Sequence, residues 1–315
     1  MKRIRFILSI TLILAFFLSA CSSPGSPATQ QDNGTTPNAS PGASTATPTP
    51  MPSPPADWDE IPETAWNYEY DSELQGVVLT KYKGKAERVR IPDTVNGDPV
   101  VSLHGTFEDN RRLQEVHIPN TVTEITNNAF DYCSRLTSIT IPDSVTVIGY
   151  NAFRECSGLT SIIIPDSVTS IGYSAFEDCT GLTSVIIPES VARIETRAFR
   201  KCEKLSDISI LGNTVEVGER AFEGTYWYNR QADGLVRLGN TIITYSGEMP
   251  VNTEIVIPEG VRHIAGGAFE GCKGLTKVVI PDSVTVIGSG AFYGCTSLDE
   301  ASLARILSIN PDAQF

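Results

Sequence analysis

Histidine is scarce in this chain, and positive charge is outnumbered. Only 3 histidines occur in 315 residues, and 24 Lys and Arg stand against 37 Asp and Glu, a formal net charge of −13. Loss of a leader carrying Lys2, Arg3 and Arg5 would take this three further, to about −16. Nucleic-acid binding needs a basic stripe that neutralises phosphates, so that class of partner is excluded. General adsorption to anionic lipid is excluded on the same ground. There is no phosphate-loop, Gly-x-Ser-x-Gly or His-Glu-x-x-His pattern. No Cys-x-x-Cys spacing with a nearby histidine completes a zinc set. Acidic residues are common, but spacing singles out no catalytic pair. We expect no enzyme activity, no cofactor and no metal.

Long hydrophobic runs are also missing, with one exception. Ile7 to Leu18 is apolar and follows the charged residues Lys2, Arg3 and Arg5, the order of an export signal. At about a dozen residues it is short for a bilayer span of about 20. It ends in Leu18-Ser19-Ala20-Cys21, which resembles the bacterial lipobox. That resemblance implies cleavage of residues 1–20, export, and a lipid anchor on Cys21 as the only membrane attachment. Residues 21–57 are Ser, Thr, Pro, Ala and Gly with few apolar side chains. Such a segment cannot bury enough surface to offset its ordering entropy. It reads as a linker, with a root-mean-square reach of ~30–35 Å extended further by proline.

The rest of the chain is periodic. Cys133, Cys156, Cys179 and Cys202 fall 23 residues apart, and Cys272 and Cys295 repeat the interval. Phenylalanine keeps the same period from Phe107 to Phe222, then at Phe269 and Phe292. A fixed period in the twenties signifies a solenoid. Within one unit, Leu136, Ile139 and Ile141 alternate inward along a short strand. Pro142 ends the strand, and Asp143-Ser144 supplies turn chemistry. Val145 and Ile148 return apolar groups to the core. Gly149 reads as a position whose backbone conformation a side chain would resist. Ala152, Phe153 and Cys156 read as one face of a short helical turn.

This pattern, Leu-x-x-Ile-x-Ile-Pro followed by Ile-Gly-x-x-Ala-Phe-x-x-Cys, resembles the BspA-like (Treponema-type) leucine-rich repeat of bacterial surface proteins. The resemblance spans roughly residues 66–298. It implies an α/β repeat solenoid, leucine-rich-repeat-like, right-handed and curved, with short strands and short helical turns between an N-terminal cap and a C-terminal helix. We divide the mature chain into a cap (58–105), repeats (106–224), an irregular aromatic insert (225–258), further repeats (259–298) and a capping helix (299–315). Phe222 to Phe269 is 47 residues, two periods plus one. The insert therefore reads as two altered coils with a local hairpin, on which Tyr226, Trp227 and Tyr228 pack. Asp299 suits an N-cap, with Leu303, Ile306 and Leu307 on one helical face.

Each repeat cysteine holds the same inward slot, which favours a row of buried thiols. Disulfides pairing Cys133 with Cys156, Cys179 with Cys202, and Cys272 with Cys295 are the alternative that export permits. His104, His117 and His263 read as surface substitutions, because His117 aligns with Thr140 on the outward side of its strand and His263 with Val147 in the return segment.

The family's members share a scaffold rather than a ligand, and include adhesins for host matrix proteins or other cells. Binding of a protein or glycan by a monomer at the cell surface is the expectation, in adhesion or host interaction. A structural or accessory envelope lipoprotein is the alternative. Two sets of residues are candidates for the site. Ile163 and Ile186 occupy adjacent outward slots, flanked by hydroxyl rows at Thr137-Ser138, Thr160-Ser161 and Thr183-Ser184. Tyr150 and Tyr173 stack on successive coils, beside basic charge at Arg193, Arg197, Arg200 and Lys201. Tyrosine and arginine are enriched in interface hot spots.

Overall fold

The computed structural model describes Trp58, residues 61–212 and residues 215–315. The leader, Cys21 and the linker lie outside the described residues. The repeats wind into a β-solenoid of 23-residue coils, and residues 136–158 show how one coil forms. Leu136, Ile139 and Ile141 are buried, while Thr137, Ser138 and Thr140 are exposed, the alternation of a half-buried strand. Pro142 then accepts the amide of Val145 at 3.0 Å and closes a turn. Val145 and Ile148 re-enter the core.

Successive coils are joined by three ladders. The N-terminal cap supplies strands β1 (Trp66–Asp71), β2 (Gly76–Tyr82), β3 (Arg88–Arg90), β4 (Thr94–Val95) and β5 (Asp98–Leu103). The first repeats add β6 (Glu115–His117), β7 (Glu124–Ile125), β8 (Ser138–Thr140), β9 (Val147–Ile148), β10 (Ser170–Ile171), β11 (Ser184–Ile187), β12 (Arg193–Ile194), β13 (Asp207–Ile210) and β14 (Glu216–Val217). One long sheet runs β1-β2-β5-β7-β9-β10-β12-β14, parallel from β2 onward, with β4 paired to β5. A second ladder joins β3, β6 and β8, and after a break at the next coil the same side resumes with a bridge between Ser161 and Ser184 and the β11–β13 pair.

The third ladder runs through the turns. The amide of Phe130 donates to Ala152 at 2.8 Å, and those of Phe153 and Phe176 to Ala175 and Ala198 at 2.7 Å. This segment is therefore a pair of tight turns rather than the short helical turn that the sequence suggested. Asn151 (φ 51) and Glu155 (φ 59) are both left-handed, and every repeat has equivalents. Bonds to the next coil displace bonds along a helix.

Glycine in the Ile-Gly pair has a different role from the one expected. Gly149 and Gly172 are not among the left-handed residues. A Cβ on Gly172 would instead sit 2.5 Å from the carbonyl carbon of Gly149, so close approach of neighbouring coils is the constraint.

The core is a column of rings. From Phe107 to Phe222, successive phenylalanines stack at 5.1–5.5 Å with planes within 10°. Trp66 closes the N-terminal end edge-on against Phe107, and Trp227 closes the other end against Phe222. A second column begins with Phe269 on Phe292 at 5.0 Å. Between them lies a hairpin, β15 (Gly234–Leu238) and β16 (Thr241–Ser246), followed by β17 (Thr253–Val256), β18 (His263–Ile264), β19 (Leu275–Val279) and β20 (Val286–Ile287). Trp227 and Tyr228 pack on the core, and Tyr226 stays exposed under the Arg230 guanidinium.

Helix α1 (Glu300–Ile309) covers the last coil. Asp299 accepts the amide of Ser302 at 2.8 Å, a side-chain N-cap. The hydroxyl of Ser302 accepts the amide of Val278 on β19, and Asn310 donates to the carbonyl of Ile287 on β20. Arg305 donates to the carbonyls of Ile280 and Pro281. The helix thus satisfies the edges of both sheets, which would otherwise invite pairing with another chain.

Candidate functional site

The structure separates the two sets of candidate residues. Ile163 and Ile186 lie on the ribbon of the second ladder, two residues beyond the paired Ser161 and Ser184. They are 83% and 59% exposed. Val256 and Val279, directly paired between β17 and β19, hold the corresponding slots further along and are also exposed. The hydroxyls beside this strip are partly committed to stacking. Thr137 donates to the carbonyl of Gln114, and Thr183 to that of Thr160, each at 3.2 Å.

Tyr150, Tyr173, Arg193 and Arg197 belong instead to the long sheet and its adjoining turns. The tyrosine rings stack at 5.4 Å and 16°. Arg197 donates to the Tyr173 hydroxyl at 2.8 Å and lies over its ring. Arg193 bridges Glu216 at 2.8 Å.

Arg200 and Lys201 sit in the turns, and Arg200 is not a free cation. It is held between Glu177 at 2.8 Å and Glu223 at 2.9 Å. One coil-spaced series reads Asp131, Arg154, Glu177, Arg200, Glu223, so charges alternate in sign along the solenoid. Arg154 grips Asp131 with two bonds at 2.9 and 2.7 Å, and Asp131 is 1% exposed. Burial works to raise the Glu177 pKa, but hydrogen bonds from Ser174 and Arg200 hold it below the usual carboxylate range. Lys201 lies 4.0 Å from Asp178. Of the basic cluster, Arg200 is committed to bonds between coils, while Arg193 and Lys201 stay about half exposed beside their acidic partners.

The thiols have a definite partner. Cys133, Cys156, Cys179 and Cys202 donate to the carbonyls of Phe107, Phe130, Phe153 and Phe176 at 3.0–3.2 Å, and Cys295 donates likewise to Phe269. All six described cysteines are free. Burial pushes the first four well above the ordinary thiol range, and Cys295 up to about 12.

His263 corrects the sequence reading. It is 4% exposed rather than a surface substitution. Its Nδ1 accepts the amide of Val217 at 3.1 Å, which fastens β14 to β18 where the long sheet is interrupted. Burial lowers its pKa to about 4. Alignment with Val147 misled because the insert brings a neighbour over a slot that is open in regular coils. His117 is half-buried, and burial lowers its pKa as well. His104 is exposed. Among the described residues, no group of three or more His, Cys, Asp or Glu is placed to hold a metal ion.

The repeating coil matches a known sequence family. Six copies of the BspA type leucine rich repeat region cover residues 104–228 and 247–315. The chain belongs to this family. Among solved structures, BspA-type architecture here is similar to a T. pallidum leucine rich repeat protein, at 27% identity over 82% of this chain and 99% of that one, TM-score 0.49. A leucine-rich repeat protein from Bacteroides ovatus is 25% identical over 77% and 81%, TM-score 0.50. A leucine rich cell surface protein from Faecalibacterium prausnitzii is 27% identical over 78% and 76%, TM-score 0.42. None of the functionally curated proteins matches. In BspA-type terms, Ile163 and Ile186 stand at slots the scaffold does not need filled by apolar residues. Thr140 and Ser209 occupy the same slot in other coils.

Proposed function

We propose that this BspA-type protein is exported, held to the bacterial membrane by a lipid on Cys21, and displayed at the cell surface to bind a protein or glycan in adhesion or host interaction. The observation that carries the binding role is the exposed pair Ile163 and Ile186. Neighbouring apolar side chains left in water mark interaction sites more often than isolated ones do. Apolar contact favours a protein ligand over a glycan. The leader, the lipobox-like quartet and the long linker support display away from the membrane. Protease treatment of intact cells tests the display, with loss of the solenoid expected. Full protection until lysis overturns it and redirects the search to envelope partners. Binding is then tested on matrix proteins and glycans, where Ile186→Asp should abolish capture that the parent chain shows. Equal capture by the variant removes the strip from the reading.

A further inference from the structure

The outward face of the long sheet is not flat at its N-terminal end. There the β1–β2 hairpin stands beside β5, β7 and β9 and encloses a groove of about 720 Å³, within the ~300–1,000 Å³ usual for ligand sites. Glu69 and Asp71 come from the hairpin, Glu108 from the turn after β5, and Glu124 from β7. Lys81 is the one Lys or Arg among the lining residues. Elsewhere in the solenoid some carboxylates, such as Glu177, Glu216 and Glu223, are matched by arginines, and others, such as Asp143 and Glu189, stand on the surface without an ion pair among the described residues. Here, neither Glu69 nor Glu124 has an ion-pair partner among the described residues.

A second observation points into the same groove. Ser102 lies on its floor and is 2% exposed. Its hydroxyl makes no hydrogen bond among the described residues, although the neighbouring Thr126 donates to Leu103 at 2.9 Å. The hydroxyl opens into the groove rather than being sealed in the core, so water or a bound ligand can supply its partner. Tyr70 stands exposed at the rim.

We propose that this groove binds a cationic, lysine- or arginine-bearing segment of a partner protein. The segment's basic groups pair with Glu69, Glu108 and Glu124, and its backbone satisfies Ser102. The inference rests on the reading of the chain as a protein-binding module, but uses a face distinct from the Ile163–Ile186 strip. The chain's own linker is the wrong occupant by charge. No Lys or Arg occurs between Arg5 and Lys81, so residues 22–57 bring no base to an acidic groove.

The test uses the full chain and a labelled hexapeptide of alternating lysine and serine, with its glutamate–serine counterpart as control, followed by fluorescence anisotropy. The lysine peptide binds, the glutamate peptide does not, and added salt weakens the binding. Glu69→Gln with Glu124→Gln weakens it roughly tenfold. Ser102→Val also weakens it without altering charge, and Glu254→Gln, remote from the groove, leaves it unchanged. Ile186→Asp leaves it unchanged as well, so failure of the strip and failure of the groove are told apart. Absence of lysine-peptide binding at low salt, equal binding of both peptides, or insensitivity to the paired Gln substitutions overturns the proposal.

Discussion

Trp227 meets Phe222 edge-on, with ring centroids 6.1 Å apart and planes at 69°. Trp66 meets Phe107 in the same way at the opposite end, at 5.9 Å and 89°. A stack of parallel rings leaves two bare faces, and each tryptophan covers one with its edge, the favoured quadrupolar arrangement. The repeated phenylalanine supplies the column, and the irregular segments supply its ends.

Removing an end should therefore cost more than removing a surface aromatic. Trp66→Ala should destabilise the solenoid by about 3–5 kcal/mol. Trp227→Ala should cost less, because Trp227 is only partly buried. Tyr226→Ala, at an exposed position, should stay within about 0.5 kcal/mol. Urea unfolding followed by circular dichroism checks the order. Equal costs for Trp227→Ala and Tyr226→Ala would remove the capping role.

Each deeply buried thiol donates to the carbonyl of a phenylalanine 26 residues earlier, as Cys156 does to Phe130 at 3.1 Å. The thiolate is the reactive form, and burial disfavours it. In the native chain Cys272, the half-buried member of the set, should react with a thiol reagent first. Cys133, Cys156, Cys179 and Cys202 should react only as the protein unfolds. Mass spectrometry of labelled peptides reads the order. A mass two hydrogens low for a peptide pair such as Cys133 with Cys156 would instead demonstrate the disulfide arrangement.

The period of Phe and Cys was enough to place Phe153 and Cys156 in the core, because identical slots in stacked coils must face the same way. Asp299 announced its helix through local chemistry alone. The partners of Arg200 were harder to see. Glu177 and Glu223 are 23 residues away on either side, and only the alternation of sign along that slot marks them as a zipper. His263 was misplaced because its environment comes from the insert, where the repeat register no longer says what covers a position. The groove around Ser102 was invisible for a related reason: the cap, not the repeat, builds its wall. The acid-only stretch from Asp57 to Glu73 was the signal available for it.

Arg200 lies between two carboxylates on neighbouring coils, and all three side chains are partly shielded. Arg200→Ala leaves Glu177, itself mostly buried, without its ion-pair partner and with only the Ser174 hydroxyl still bonded to it. We expect a loss of about 1–3 kcal/mol. Replacing Arg200 and Glu177 together by glutamine should cost less than the sum of the single changes, since neither charge is then left alone. A double-mutant cycle measured by thermal unfolding checks the coupling. Strict additivity would make the zipper ornamental and return Arg200 to the pool of surface cations.

His263 gives the solenoid an acid-sensitive point. Burial holds its folded pKa near 4, against an ordinary value of 6.5. Between these values the unfolded chain binds the proton more readily than the folded one, so stability falls as pH drops through this window. The full effect approaches about 3 kcal/mol below pH 4. Protonation also turns Nδ1 from acceptor to donor, which breaks its bond from the Val217 amide and turns it toward the carbonyl of Val215, 3.1 Å away. Glu216 opposes the shift by favouring the charged ring. His263→Asn keeps an acceptor near the Val217 amide without a titrating group. Its stability should vary less between pH 6.5 and 4 than that of the parent chain. Chemical denaturation across that range measures the difference. An unchanged pH slope in the variant would show that another group sets it.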